Sequence, residues 1–265
     1  MGEILREHFR NINMIIKLAK IDLVKTYRAA TLGWAWAIIK PSVTIFVYWF
    51  TIEIGLRNSS PVNGYPKFLW LIASMIPWFY ISEMINSGAS SFRSYNYLIT
   101  KMKFPISVIP TIVNISKFIV HFILIMIVIG LFIFSGYGVD IYLLQLPVYM
   151  LLAFLALEAW SLFSAYISSM SVDFLNLVRS VTTVLFWMSG IFWDINNVSN
   201  PVIREILWLN PITYIIDGYR NCFINKVFFF EEPHKLINFI ISLIIFSLFS
   251  VLVSKKYRKQ INDCL

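Results

Sequence analysis

A chain of 265 residues that is 58% apolar, 17% aromatic and only 14% charged departs from an ordinary soluble domain, which is about 45–50% apolar and about 25% charged. A soluble fold of this size could not hide so much apolar surface, so the composition points to an integral membrane protein. The net charge of +8 would suggest a nucleic-acid partner in a soluble chain, but here the positive-inside rule accounts for it and no nucleic acid is expected. Cys222 and Cys264 have neither metal-ligand spacing nor a nearby partner, and His8, His121 and His234 are scattered. We therefore expect no metal, no disulfide framework, no catalytic residue and no cofactor bound by this chain.

Residues 8–28 read as an interfacial amphipathic helix. At 100° per residue Phe9, Ile12, Ile15, Ile16, Ala19 and Leu23 share one face, and Arg10, Asn13, Lys17, Lys20 and Arg28 share the other. That pattern suits a helix lying in the headgroups with its cations toward anionic lipid. No cleaved signal peptide is expected, because the first apolar run begins about thirty residues in without a small-residue cleavage pattern. With no repeat or low-complexity linker in sight, the expectation is a single domain over 1–265.

A helix needs about 20 mostly apolar residues to cross the hydrocarbon. Six stretches qualify: 34–56, 67–90, 107–134, 142–168, 178–193 and 235–254, the fifth being short. Trp34 and Trp36 stand where aromatic belts stand, and Lys40 can snorkel toward the surface. Arg6, Arg10, Lys17, Lys20, Lys25 and Arg28 precede the first span; Arg93, Lys101 and Lys103 follow the second; Lys255, Lys256, Arg258 and Lys259 follow the last. Loop 57–66 has only Arg57, and loop 135–141 has no Lys or Arg. Six crossings then place both termini in the cytoplasm, with Cys264 cytoplasmic and Cys222 external or in the outer leaflet.

Three stretches invite a role. In the cytoplasmic loop 93–105, Leu98, Ile99 and Phe104 read as an exposed apolar knob that Pro105 ends, the shape of a contact for a partner; a plain connector is the bland alternative. Glu83, Lys117 and Glu158 lie in spans two, three and four, roughly 12–16 Å from the cytoplasmic ends at 1.5 Å per residue. Intramembrane charges are functional suspects. They read as a structural ion pair or triad, as a polar lining of a hydrated pathway, or with His121 as a proton relay. The external segment 194–234 contains Asn200-Pro201 and Asn210-Pro211; Asn is a good N-cap and Pro suits the first helical position, so two short helices should begin there. They read either as a re-entrant hairpin dipping into the outer leaflet or as one resting on the surface. Tyr48, Trp49, Trp78, Phe79, Tyr80, Trp160, Trp187 and Trp193 could line a sugar pathway, or simply pack helices and form interface belts.

These residues resemble a known family. The stretch YRAATLGWAWAIIKP is similar to the leading motif of ABC type 2 permeases that export polysaccharides, through Tyr27, Arg28, Leu32, Gly33, Trp36 and Pro41. The loop NYLITKMKFPISVIP resembles that family's first cytoplasmic loop through Asn96, Leu98, Ile99, Lys101, Phe104, Pro105 and Pro110. The late segment FWMSGIFW…LNPITYIIDGYR resembles its last motif through Phe186, Trp187, Ser189, Asn210, Pro211 and Arg220, with Gly190 where many relatives have proline. Lys40 also stands where a neutral polar residue is common.

The resemblance implies an all-α permease with six transmembrane helices, an N-terminal interfacial helix and an external re-entrant hairpin between spans five and six. It further implies a half-transporter in the bacterial plasma membrane that pairs with a second copy of itself and with two copies of a separate ATPase subunit. These 265 residues contain no Gly-Lys dipeptide, hence no phosphate-cradling P-loop, so ATP and Mg are expected on the partner. The implied cargo is a lipid-linked envelope polysaccharide, teichoic acid first and O-antigen next. The rival readings are a permease for a small amphiphile, drug or heme-like cargo, and a membrane enzyme acting on polyprenyl-linked glycans. The enzyme would need a carboxylate, His or Arg cluster at one membrane face, and the sequence shows none.

Overall fold

The computed structural model describes residues 2–28, 30–55, 60–101, 104–258 and 261. Arg57, Lys103, Lys259 and Cys264, named above, lie outside the described residues. The fold is all-α: among the described residues the only β-pairing is an isolated bridge between Val62 and Tyr65. In chain order the helices are α1 (Gly2–Arg10), α2 (Ile12–Arg28), α3 (Trp36–Trp49), α4 (Lys67–Ala89), α5 (Ser91–Ser94), α6 (Asn96–Lys101), α7 (Ile109–Phe134), α8 (Leu146–Met170), α9 (Val172–Met188), α10 (Pro201–Trp208), α11 (Pro211–Arg220) and α12 (Pro233–Tyr257).

Five helical stretches are long and apolar enough to cross a membrane: Gly33–Gly55, Lys67–Ala89, Ile106–Phe134, Ile141–Met170 and Pro233–Tyr257. The protein is thus an all-α polytopic membrane protein. The first stretch tolerates Pro41 because it falls in the second turn, where the ring frees only one carbonyl near the helix start. The expected fifth span, 178–193, is not among these five. Its helix α9 runs from Val172 to Met188, 17 residues, and includes Asp173 and Arg179. Hydropathy was carried past the true end by FWMSGIFW, whereas Gly190 breaks the helix at φ +68°, a value open to glycine and closed to proline.

Helix α4 is the hub. It packs on α3, α7, α8, α9 and α11 and is buried over nearly its whole circumference. Small residues allow the approach: a Cβ on Gly88 would stand 2.7 Å from Ser161 Cβ, and a Cβ on Gly218 in α11 would stand 2.1 Å from the Tyr149 ring. The two asparagine caps form as their sequence implies. Asn200 Oδ1 accepts from the Val202 and Ile203 amides, and Asn210 Oδ1 accepts from the Ile212 amide. The two short helices differ in fate. Val202, Ile203 and Ile206 of α10 are exposed, while Tyr214, Ile215, Ile216 and Tyr219 of α11 are buried among α4, α8 and α12. The second short helix is thus packed inside the bundle while the first stays at its surface.

The N-terminal segment is two helices broken at Asn11, not one over 8–28. Its apolar face also divides. Ile15, Ala19 and Leu23 are buried, the first two against Val108 and Ile112, while Phe9, Ile12 and Ile16 stay exposed. One end of the bundle gathers the basic segments. Ser107 donates to Glu7 at 2.5 Å and Arg258 pairs with Glu7. Arg93 donates to the Ser168 and Ser169 carbonyls at 2.8 and 3.1 Å, and Tyr95 donates to Asp22 at 2.6 Å.

Burial of Cys222 gives a direct check of this architecture. Its side chain is 0% exposed, so an impermeant maleimide should leave it unlabelled in intact cells and in native lysed membranes, and label it after denaturation. Labelling of native protein would contradict the packing of Asn221–Asn225.

Candidate functional site

A turn brings α2 onto α3. Gly33 takes φ +50° at its centre, a left-handed value that a side chain disfavours, and Tyr27 stacks on Trp34 with centroids 5.2 Å apart. The turn places Tyr27, Trp36, Lys40 and Pro41 on the wall of a cavity of about 420 Å³ whose other wall comes from α4 and α7. Those helices supply Phe79, Tyr80, Glu83, Asn86, Lys117 and His121. The leading motif and two of the three intramembrane charges thus meet in one place. Arg28, also of that motif, is exposed and lies with Lys20 and Lys25 in a separate surface groove on α2. Burial and the nearby Glu83 carboxylate push the Tyr27 phenol up to about 12.

Lys117 Nζ lies 2.7 Å from Glu83 Oε1, with the two side chains 10% and 44% exposed. Glu158 does not join them. It accepts from Thr111 Oγ1 at 2.6 Å and from Asn114 Nδ2 at 2.9 Å, so of the pair or triad expected, the structure holds the Lys117–Glu83 pair with Glu158 apart. His8 Nε2 reaches Thr111 Oγ1 at 2.6 Å and His8 Nδ1 reaches the Ile4 carbonyl at 2.7 Å. A carbonyl only accepts, so Nδ1 carries a hydrogen. The chain His8–Thr111–Glu158 thus links α1, α7 and α8. Tyr80 extends the network to Asn114 at 2.5 Å. Tyr80 also stacks on His121, which lies 2.7 Å from the Tyr219 hydroxyl.

The late motif forms a clasp rather than part of the cavity. Arg220 in α11 is 5% exposed. Its guanidinium donates to the Gly190 carbonyl, to the Ile191 carbonyl and to Ser74 Oγ, and sits 3.6 Å above the Trp70 ring. Asn210 Nδ2 donates to Ser189 Oγ at 2.9 Å. Phe186 packs on Tyr48, Trp78 and Phe192, whereas Trp187 is exposed. These residues tie the end of α9 to α11 and α4, with Pro211 as the first residue of α11.

The loop expectation needs correction. Residues 93–105 contain α5 and α6 ends rather than an open loop, and Ile99 is 4% exposed, packed with Phe92, Ile109, Ala165 and Tyr166. Leu98 and Phe104 are half-buried, Pro105 is partly buried, and Lys101 is exposed. Asn96 begins α6. The side chain that projects is Tyr97, 72% exposed. A six-residue helix must anchor itself by one inward residue, and Ile99 does so. A second cavity of about 320 Å³, lined chiefly by Leu157, Trp160, Val178, Val181, Leu243 and Phe246, is wholly apolar at its surface and presents no chemistry.

Membrane-length helices around a polar cavity with a Lys–Glu ion pair define a polytopic membrane protein. The chain belongs to the ABC-2 type transporter family, which matches residues 15–224. It is similar to the protein named O-antigen export system permease protein RfbA of Myxococcus xanthus, with 25% identity over 227 residues covering 84% of this chain and 85% of that one. It is also similar to a protein of the same name from Klebsiella pneumoniae, with 26% identity over 254 residues and 93% of each chain covered.

The ion pair makes a stability prediction. Removing one partner of a fully buried pair typically costs about 3–5 kcal/mol, and the cost here should fall below that range because Glu83 is 44% exposed and screened by solvent. Glu83→Ala should lower the thermal unfolding midpoint in detergent, and adding Lys117→Met should restore part of it. Equal midpoints for wild type and Glu83→Ala would contradict the pairing.

Proposed function

We propose that this chain is the permease subunit of an ATP-driven exporter that carries a lipid-linked envelope polysaccharide out across the bacterial plasma membrane. The observation that carries the reading is the meeting of the leading motif with Glu83 and Lys117 around one polar cavity in a chain of the ABC-2 family. Both termini are cytoplasmic in this reading, supported by the gathering of the basic N-terminal helices, Arg93 and Arg258 at one end of the bundle. The names of the relatives support a polysaccharide and favour an O-antigen-type polymer over teichoic acid. Aromatic rings beside Asn86, Ser82 and Glu83 suit a sugar, whose C–H faces pack on rings while its hydroxyls seek hydrogen bonds.

The functional unit is two copies of this chain with two copies of a separate ATPase subunit, which hold ATP and Mg. Closure of the ATPases must reach the spans through contact, and in this reading α6 receives it, supported by Tyr97 projecting and Ile99 rooting the helix in the bundle. Tyr95–Asp22 and Ser107–Glu7 pass the same push to α2 and α1.

Depletion of the chain in its host should remove the polysaccharide from the cell surface and accumulate its lipid-linked form inside, with an ATPase co-purifying with the tagged permease. In the same strain Tyr97→Asp should keep the permease in the membrane yet weaken that co-purification, while Lys101→Ala does less, since exposed charge pairs contribute little. Normal surface polysaccharide after depletion would overturn the reading.

A further inference from the structure

We propose that His8, Thr111 and Glu158 form a proton-dependent latch. It seats α1 on the spans while the His8–Glu158 pair holds at least one proton, and it lets α1 go once both groups have lost theirs. The latch is independent of the export reading, since it concerns how the N-terminal helix is held whatever the cargo.

The hydrogens along the chain can be counted. His8 Nδ1 lies 2.7 Å from the Ile4 carbonyl, and a carbonyl only accepts, so that nitrogen carries a hydrogen. His8 Nε2 and Glu158 Oε1 then stand on two sides of Thr111 Oγ1, each at 2.6 Å. A hydroxyl has a single hydrogen to give, so Thr111 serves only one of these neighbours as donor. The other contact needs a hydrogen from the neighbour itself. An imidazolium supplies it through Nε2, and a carboxylic acid supplies it through Oε1. With a neutral imidazole facing a carboxylate, two acceptors compete for one hydrogen and one contact fails.

The surroundings leave this count to decide the seat. Thr111 is buried, and Glu158 has no Lys or Arg partner among the described residues. The other charged groups on the elements around α1 are engaged elsewhere or face outward. Glu7 of α1 accepts from Ser107 and pairs with Arg258. Asp22 of α2 accepts from Tyr95, and Lys117 of α7 pairs with Glu83. Arg6 and Arg10 of α1 and the cations of α2 are exposed. His8 itself is half-buried, so its proton exchanges with water. The seated state binds more protons than the released one, so seating is complete at low pH and is lost as pH rises.

The test is electron paramagnetic resonance of the full chain in phosphatidylcholine nanodiscs, with a nitroxide attached through Phe9→Cys on α1. Phe9 is exposed, Cys222 is 0% exposed and stays unlabelled, and Cys264→Ser removes the other thiol. Spectra are taken from about pH 5 to 9, across the window in which histidine changes charge. The labelled parent should pass from immobile to mobile, with the seated-to-released ratio falling by up to about tenfold per pH unit, the limit for one linked proton. In His8→Gln the amide donates to Thr111 at any pH, and in Glu158→Gln the amide donates from the other side, so each should stay immobile throughout. His8→Leu should be mobile at every pH. Thermal unfolding is followed in parallel, and His8→Gln keeps the test open should Glu158→Gln fail to fold. A parent spectrum that is the same at both ends of the range overturns the latch, as does a His8→Gln titration that matches the parent's.

Discussion

Hydrocarbon offers no water to an ionised group, so the buried charges of this bundle are answered from within the protein. That constraint organises the structure around α4. Lys117 is answered by Glu83 from α4, and Arg220 is answered by Ser74 and Trp70 of α4 together with the carbonyls that end α9. Glu158 is answered by Thr111 and Asn114. Each solution fixes a pair of helices in register: α4 to α7, α11 to α4, and α8 to α7.

The same constraint separates scaffold from site. The Arg220 clasp is buried, with its terminal guanidinium nitrogens shared among two carbonyls and a hydroxyl and its plane over a ring, while Nε has no partner. The Lys117–Glu83 pair is open on one side. A group that is satisfied in the empty protein yet able to exchange its partner is what a transport pathway requires, since cargo must bind and then leave. The N-terminal helices lie between these two regimes. Part of their apolar face packs on α7 and part stays exposed, so they can rest against lipid while Asp22 and Glu7 tie them to the segment that follows α4.

What could be read from the sequence was local. Apolar runs announce spans by length, and Asn200-Pro201 and Asn210-Pro211 announce helix starts by cap chemistry, because both depend on neighbours a few residues away. Three motifs in order announced the family. What could not be read depends on partners far along the chain. Ile99 turns inward because Phe92 and Tyr166 make a socket for it, and no periodicity exists in a six-residue helix to show this. Arg220 meets Gly190 at a separation of 30 and Ser74 at a separation of 146. Equal depth in the membrane suggested that Glu83, Lys117 and Glu158 meet, but depth fixes only one coordinate, and helix rotation sends Glu158 toward Thr111. The end of α9 was misplaced because hydropathy averages over residues and ignores the backbone angle of Gly190.

In the export reading proposed above, cargo enters through the cavity between α3, α4 and α7. A photoreactive amino acid placed at Ser82, on the cavity wall, tests it most directly when activated in cells making the polysaccharide. The same group at Ile244, exposed on α12, is the reference. The account predicts a lipid-linked glycan adduct from position 82 and only ordinary phospholipid adducts from position 244. Glycan adducts of equal yield at both positions, or none at 82 in exporting cells, would contradict it.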